Sequence, residues 1–218
     1  MHVNRIFAIA AFLVAAAFSA QANVLYDNNS NGLGYGASVA NQPIGDGPLG
    51  QSFTSGPGAA ILSDVTLNFV LSDNPAAGAF VVQLFIDAGG ATPTPGALIM
   101  TLGIVNDIDV TGPIDFSGLG LLLNPSTRYW VVASDTYNGS DSALASLALW
   151  DQAGDSTGAG VVEEWAYADG VSLPVDASLG ETAPFVMTVD VPEPTSLALL
   201  GVGMAALGAR RVGNRKSK

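Results

Sequence analysis

The sequence predicts an all-β fold, an antiparallel and jelly-roll-like β-sandwich, with a signal helix at the N-terminus and one transmembrane helix at the C-terminus. Three observations predict it. Apolar residues alternate with polar ones in runs such as VTLNFVL (65–71) and AFVVQLFID (79–87). Turn-forming stretches such as SDNP (72–75) and GGATPTPG (89–96) separate these runs. Helical spacing of apolar residues is almost confined to the two ends of the chain.

The alternating runs predict nine or ten strands, at the spacing typical of sandwiches and barrels. In the run 65–71, Val65, Leu67 and Phe69 fall on one face, because successive side chains of a strand point to opposite sides. No linker and no repeat of fixed period divides residues 23–190, which are therefore predicted to form one domain. The predicted strands are 23–26, 50–54, 65–71, 79–87, 98–104, 118–123, 127–134, 144–150, 160–167 and 183–190.

The first 22 residues have the pattern of a secretory signal peptide. A short basic start precedes an apolar run, 6–18, which is too short for a retained membrane anchor. Ala20 and Ala22 place small residues where signal peptidase requires them. The mature chain is expected to begin near Asn23, after export through the inner membrane.

Charge is strongly separated along the chain. Residues 23–190 hold eighteen of the nineteen acids and one base, Arg128, a formal charge of −17. So acidic a body cannot neutralise phosphates, which excludes ordinary nucleic-acid binding. Five of the seven basic residues close the chain: Arg210, Arg211, Arg215, Lys216 and Lys218.

The last 28 residues have the layout of a processing signal. Pro192-Glu193-Pro194 is an extended tripeptide, and residues 195–209 form an uncharged stretch that predicts a transmembrane helix. The basic tail, 210–218, is expected to stay in the cytoplasm by the positive-inside rule, which leaves the acidic domain outside.

In this order of elements, residues 191–218 resemble the PEP-CTERM sorting signal of Gram-negative bacteria. The resemblance implies that an exosortase in the inner membrane recognises Pro192, Glu193 and Pro194 and processes the tail. It also implies bacteria that make an extracellular polysaccharide matrix.

The body resembles a second family, the choice-of-anchor R domain of secreted bacterial proteins, along most of residues 24–190. That resemblance implies a fold and surface display, and it supplies no catalytic residue. It rests on GQSFTSG (50–56), LSDVTLNFVL (62–71), FVVQLFIDAGGATPTPGALI (80–99) and STRYWVVAS (126–134).

The side-chain inventory limits the chemistry. The only histidine, His2, belongs to the signal peptide, and the domain has neither Cys nor Lys. Catalytic triads, His-ligated zinc and Schiff-base catalysis are therefore excluded. A glycosidase needs only two carboxyls, but Glu163 and Glu164 would point to opposite faces of a strand. We predict that the chain is not an enzyme, with one of these acids solvated and one at a rim.

No cofactor is predicted, but two kinds of ligand, calcium and sugar, stay open as alternatives. DNNSNG (27–32) places Asp27, Asn29 and Asn31 as in the opening of a calcium loop, although Ser38 stands where a bidentate Glu belongs. The same residues also suit an Asx turn without metal.

Sugar stacking is the second kind of ligand contact. Trp150 and Trp165 border polar stretches and are the candidates, whereas Trp130 lies in the apolar run YWVV, where a core position is expected.

The sequence thus predicts a non-enzymatic exported protein of the cell surface or extracellular matrix, with signal peptidase and an exosortase as processing partners. The alternative is a carbohydrate-binding or carbohydrate-active protein that works on extracellular polysaccharide. A cleft with two carboxyls would favour an enzyme, and an exposed row of aromatic rings would favour sugar binding.

Overall fold

The fold is built almost entirely of β-strands. The structure is a computed structural model of the chain. The structure describes residues 22–70, 78–106, 111–137, 148–154, 157–161, 164–168, 170–174 and 184–192.

Twelve strands and one 3₁₀ turn, Asn29–Asn31, lie within these ranges. The strands are β1 (Ala22–Asp27), β2 (Gly32–Ser38), β3 (Leu49–Thr54), β4 (Ala60–Val70), β5 (Ala79–Asp87), β6 (Pro95–Asn106), β7 (Gly112–Leu123), β8 (Arg128–Asp135), β9 (Leu149–Ala153), β10 (Trp165–Ala168), β11 (Val171–Pro174) and β12 (Met187–Pro192).

The strands form two sheets of six. The first has the order β1-β12-β4-β9-β2, with β7 on the other side of β4, and the second has the order β11-β10-β3-β8-β5-β6. Every strand pair with a defined register is antiparallel. The last strand, β12, therefore lies between β1 and β4 inside the first sheet.

The two sheets share one core. Val65, Leu67 and Phe69 of β4 are buried on one face of the first sheet, and Phe80 and Leu84 of β5 are buried on one face of the second. The rings of Phe69 and Phe80 meet across the interface with centroids 4.8 Å apart. Each such side chain contributes roughly 1.5–3 kcal/mol by leaving water.

The predicted all-β fold with antiparallel sheets is confirmed, and its arrangement is consistent with a β-sandwich. The jelly-roll connection of the strands stays a prediction. Residues 1–21 of the predicted signal helix and the predicted transmembrane helix, 195–209, lie outside the described residues. Among the residues that are described, no helix has the length and apolar character needed to cross a membrane.

The strand boundaries show where the alternation of apolar residues was informative. The run 79–87 is β5, residue for residue. Strand β10 begins at Trp165 and not at residue 160, because Gly160 turns with a φ of 68° and packs against the backbone of Leu25. Strands β2 and β11 were not predicted. The compact unit that carries the strands is Val24–Val191.

Candidate functional site

Strand β3 carries a buried polar cluster at the start of the motif QSFT. The side chain of Gln51 accepts a hydrogen bond from Phe185 N (3.0 Å) and donates one to Trp165 O (3.2 Å). Ser52 Oγ accepts a hydrogen bond from Trp165 N (2.7 Å). Because both side chains are buried, these bonds replace the water that the groups lose. They join β3 to β10 and to the segment just before β12, which is a structural role.

The acid next to Trp165 is part of this cluster. Glu164 is only 3% exposed, and its Oε2 accepts hydrogen bonds from Ser52 Oγ (2.5 Å) and from Arg128 Nε (3.2 Å). The prediction of one solvated and one rim acid is therefore wrong for Glu164, because the only base of the domain neutralises it inside the fold. Glu163 lies outside the described residues.

The structure corrects the assignment of Trp150 as a sugar-stacking residue. Its side chain is 0% exposed, because β9 lies inside the first sheet and turns this residue toward the core. The indole stacks on Phe185 at 4.9 Å and on Phe69 at 6.3 Å, and Nε1 donates to Val186 O (2.9 Å). Neither face of the ring is open to a ligand.

The other two tryptophans lie on the outer face of the second sheet. Trp130 is fully buried there, with Nε1 donating to Asp87 Oδ1 (2.8 Å) and its ring edge against Tyr167. The expectation that Trp130 is buried is confirmed, although it lies on the face of β8 opposite to Tyr129 and Val131, which belong to the core between the sheets. Trp165 is partly exposed and shares a face of β10 with Tyr167, and its role in sugar stacking stays a prediction.

The segment proposed as a calcium loop is an Asx turn in the structure. Asp27 Oδ1 accepts hydrogen bonds from Asn29 N (2.9 Å) and Thr188 Oγ1 (3.3 Å). Asn28 is buried and pairs with the backbone of Phe185 and Met187. Within the described ranges, no group of three acids or histidines is placed to hold a metal. Calcium binding at Asp27, Asn29 and Asn31 stays a prediction.

The outer face of the first sheet is acidic. Asp64 on β4 and Asp190 on β12 are direct cross-strand partners. Burial, and then the charges of Asp64 and Asp27, raise the pKa of Asp190 above its ordinary value. Burial likewise raises the pKa of Asp151, although hydrogen bonds from Gly34 N and the Asn68 amide oppose the shift.

A groove of about 740 Å³ opens on the outer face of the second sheet. Its floor is formed by β5, β8 and β10, and one wall is the segment between β2 and β3. Its polar lining includes Asn41, Gln42, Gln83, Ser134 and Asp135, and its apolar lining includes Phe85, Val132 and Tyr167.

The groove's lining holds one carboxylate, that of Asp135. The other polar side chains of the lining are amides and a hydroxyl, and none of them is a base. Asp135 Oδ1 accepts a hydrogen bond from Tyr137 N (2.9 Å). Two carboxyls about 5–9.5 Å apart, the arrangement of most glycosidases, are not present among these lining residues. Sequence reasoning missed the groove, because its residues come from five separate stretches and form no local pattern.

The predicted processing residues lie at the ends of the described chain. Ala22 opens β1 and Pro192 closes β12, where it is exposed. The remaining predicted residues lie outside the described ranges: Ala20, Glu193, Pro194, Arg210, Arg211, Arg215, Lys216 and Lys218.

A family comparison matches residues 190–212 to the PEP-CTERM protein-sorting motif. The match begins within β12 and continues through the predicted transmembrane stretch. It supports the PEP-CTERM prediction for the tail, implies processing by an exosortase, and indicates export with surface or extracellular association. The match does not cover the strands before β12.

Comparison with curated proteins gave no match. Among solved structures, the chain is similar to the cysteine protease and lectin-like domains of Cwp84, a surface layer associated protein of Clostridium difficile. The identity is 11%, the TM-score is 0.45, and the alignment covers 67% of this chain and 32% of that chain. A likeness at this level gives no information about activity or ligand.

Proposed function

We propose that this chain is a non-enzymatic protein of the cell surface or extracellular matrix, delivered there by an exosortase that acts on its C-terminal tail. The observation that carries the proposal is the PEP-CTERM protein-sorting motif at residues 190–212. Signal peptidase and transient passage through the inner membrane belong to the same proposal. A choice-of-anchor R-like body, built for display, is part of it as well.

The position of the motif in the fold supports this order of events. The motif starts at Asp190, near the end of the last strand, and the tripeptide begins at Pro192, where β12 ends. Cleavage beyond Pro192 would leave all twelve described strands intact. A domain with this layout loses its membrane segment without losing any part of its core.

The polar clusters of the domain support a non-enzymatic role. Gln51, Ser52 and Glu164 are each buried and hydrogen-bonded to other parts of the fold. One of the two acids considered for carboxylate chemistry, Glu164, forms an ion pair with Arg128. These groups hold strands together, which is what a displayed scaffold requires.

Replacing Glu193 tests the sorting proposal. Glu193→Ala should leave export and membrane insertion intact, because residues 195–209 and the basic tail still satisfy the requirements of a stop-transfer segment. Processing should fail, so that the unprocessed chain accumulates in the membrane. Intact mass and cell fractionation, in hosts with and without the exosortase, measure both effects.

Two controls make the result specific. Glu181→Ala makes the same chemical change outside the motif and should mature normally. Changing Arg210, Arg211, Arg215, Lys216 and Lys218 to acids should instead disturb topology, since the orientation signal is lost while the motif remains. If Glu193→Ala matures to the same C-terminus as the wild type, the tripeptide is not the recognition element and the proposal fails.

A further inference from the structure

The floor of the outer groove is one row of residues that crosses the second sheet. The strand registers place Tyr167 opposite Gly50, Gly50 opposite Val132, and Val132 opposite Gln83. Their neighbours in the chain, such as Val131 on β8, face the core, so this row faces outward. The ring of Tyr167 and the side-chain amide of Gln83 are thus held on one sheet surface, with the apolar side chain of Val132 between them.

Gly50 lets the side chains on either side of it in this row pack closely. A Cβ at this position would lie 3.3 Å from both Tyr167 Cβ and Val132 Cγ2, a tight fit. Because glycine has no side chain, Tyr167 and Val132 pack closely over this position, and both line the groove. Tyr167 is itself held from beneath by Trp130, in an edge-on contact of 6.3 Å.

The segment between β2 and β3, which forms one wall of the groove, is hydrogen-bonded to the sheet. Asn41 Nδ2 donates to the carbonyl oxygens of Asp135 (3.2 Å) and Tyr137 (3.3 Å), which attaches the segment before β3 to the end of β8. Backbone bonds from Gly47 N to Ala40 O (2.8 Å) and from Asp46 N to Ser38 O (3.2 Å) close the same segment. The groove is therefore preformed, which lowers the entropic cost of binding.

The chemistry of the lining selects the ligand. Amide side chains (Gln42, Gln83) and a hydroxyl (Ser134) can donate to and accept from sugar hydroxyls, and the ring of Tyr167 suits the C–H face of a pyranose. An anionic ligand is disfavoured, because the domain carries −17 and Asp135 lies in the lining.

We propose that this groove binds a short stretch of an uncharged polysaccharide, with Tyr167 as the stacking platform and Gln83 as a hydrogen-bonding partner. Its volume, about 740 Å³, falls within the range of small-ligand sites, roughly 300–1,000 Å³. The inference does not depend on the sorting proposal, since the groove lies within the domain and binding can be measured on unprocessed protein.

Affinity electrophoresis in native gels tests the inference. The full chain, purified from an expression host in a zwitterionic detergent without a sugar headgroup, is run through gels that contain dextran, galactomannan, mixed-linkage β-glucan or, as the anionic probe, alginate. Retardation is expected in at least one neutral gel and not in alginate. Retardation by no neutral polysaccharide, or by alginate alone, overturns the proposal.

Matched variants locate the binding. Tyr167→Ala should weaken binding on the order of tenfold, since a stacked ring and its buried area are lost, and Gln83→Ala should weaken it about fivefold. Tyr35→Ala is the control, because Tyr35 is a 58% exposed tyrosine on β2 of the other sheet. Unfolding temperatures verify the fold, and Gln83→Ala decides the outcome if Tyr167→Ala does not fold. If these groove variants bind as the wild type does, or if Tyr35→Ala loses as much, the groove is not the site.

Discussion

Arg128 is the only basic residue between residues 23 and 190, and it forms an ion pair with the buried carboxylate of Glu164. Its side chain is 25% exposed, whereas the Glu164 side chain is 3% exposed. The acid is therefore the buried member of the pair, and Arg128 contacts it from a more exposed position. A buried carboxylate without a partner is far more costly than a buried pair.

Removing the base should therefore destabilise the domain more than removing the pair. We expect Arg128→Met to lower the free energy of unfolding by roughly 3 kcal/mol, because the buried carboxyl group of Glu164 loses its ion-pair partner. The double variant Arg128→Met/Glu164→Gln should recover much of the loss, since the amide still accepts from Ser52 Oγ. Urea unfolding measures both.

Glu164→Gln alone completes the double-mutant cycle for this pair. Equal losses in the Arg128 variant and in the double variant would mean that the guanidinium packs rather than neutralises.

At the scale of elements, β2 is the strand that sequence patterns hide. It contains three glycines, Gly32, Gly34 and Gly36, a residue type that is depleted in strands. Its register with β9 shifts between Gly32 and Gly36, which marks a bulge. At Gly36 a Cβ would overlap the backbone carbonyl of Trp150, so that the close approach of the two strands requires glycine.

Gly36→Ala should weaken the pairing of β2 with β9. We expect a loss of about 1–3 kcal/mol in unfolding free energy, because the added methyl meets backbone that cannot rotate away. Gly58→Ala is the matched control: its Cβ would meet nothing within 4 Å, so its effect should stay within about 0.5 kcal/mol. Equal melting temperatures for the two variants would show that β2 tolerates a wider spacing.

These elements show how far the sequence could predict the structure. Strand β5 was predicted to the residue, because Phe80, Val82 and Leu84 alternate with outward residues. Trp150 was misplaced, since its polar neighbour Asp151 suggested a loop but is buried in the sheet by bonds to Gly34 and Asn68. The groove could not be predicted, because a floor made by cross-strand register is not visible in any single segment.

The whole molecule carries its excess of negative charge into the folded state. Burial raises the pKa of Asp151 and Asp190, so the folded chain still holds protons that the unfolded chain has released. The contribution of these groups to stability is complete below their ordinary pKa of 3.8 and is lost as pH rises through the raised values. Repulsion within the −17 domain acts in the same direction.

Stability should therefore decrease from weakly acidic to weakly basic pH. We expect a higher unfolding temperature at about pH 4.5 than at about pH 8, and Asp190→Asn should reduce the difference by removing one of the shifted groups. Asp115→Asn removes the same charge from a side chain that bonds Thr66 on the same sheet, and serves as the control. An unfolding temperature that rises with pH over this interval would contradict the expectation. Scanning calorimetry provides the measurement.

The position of β12 has a mechanical consequence. The strand that leads into the tail is held on one side by β1 and on the other by β4, with Met187–Asp190 in register with Asp64–Leu67. For a pull directed along this strand, the ladder bonds run across the line of force. The load is therefore shear on two ladders at once, and the bonds must break together and not one after another. A tether attached at Pro192 thus grips the domain by a strand inside its sheet rather than by a loose edge.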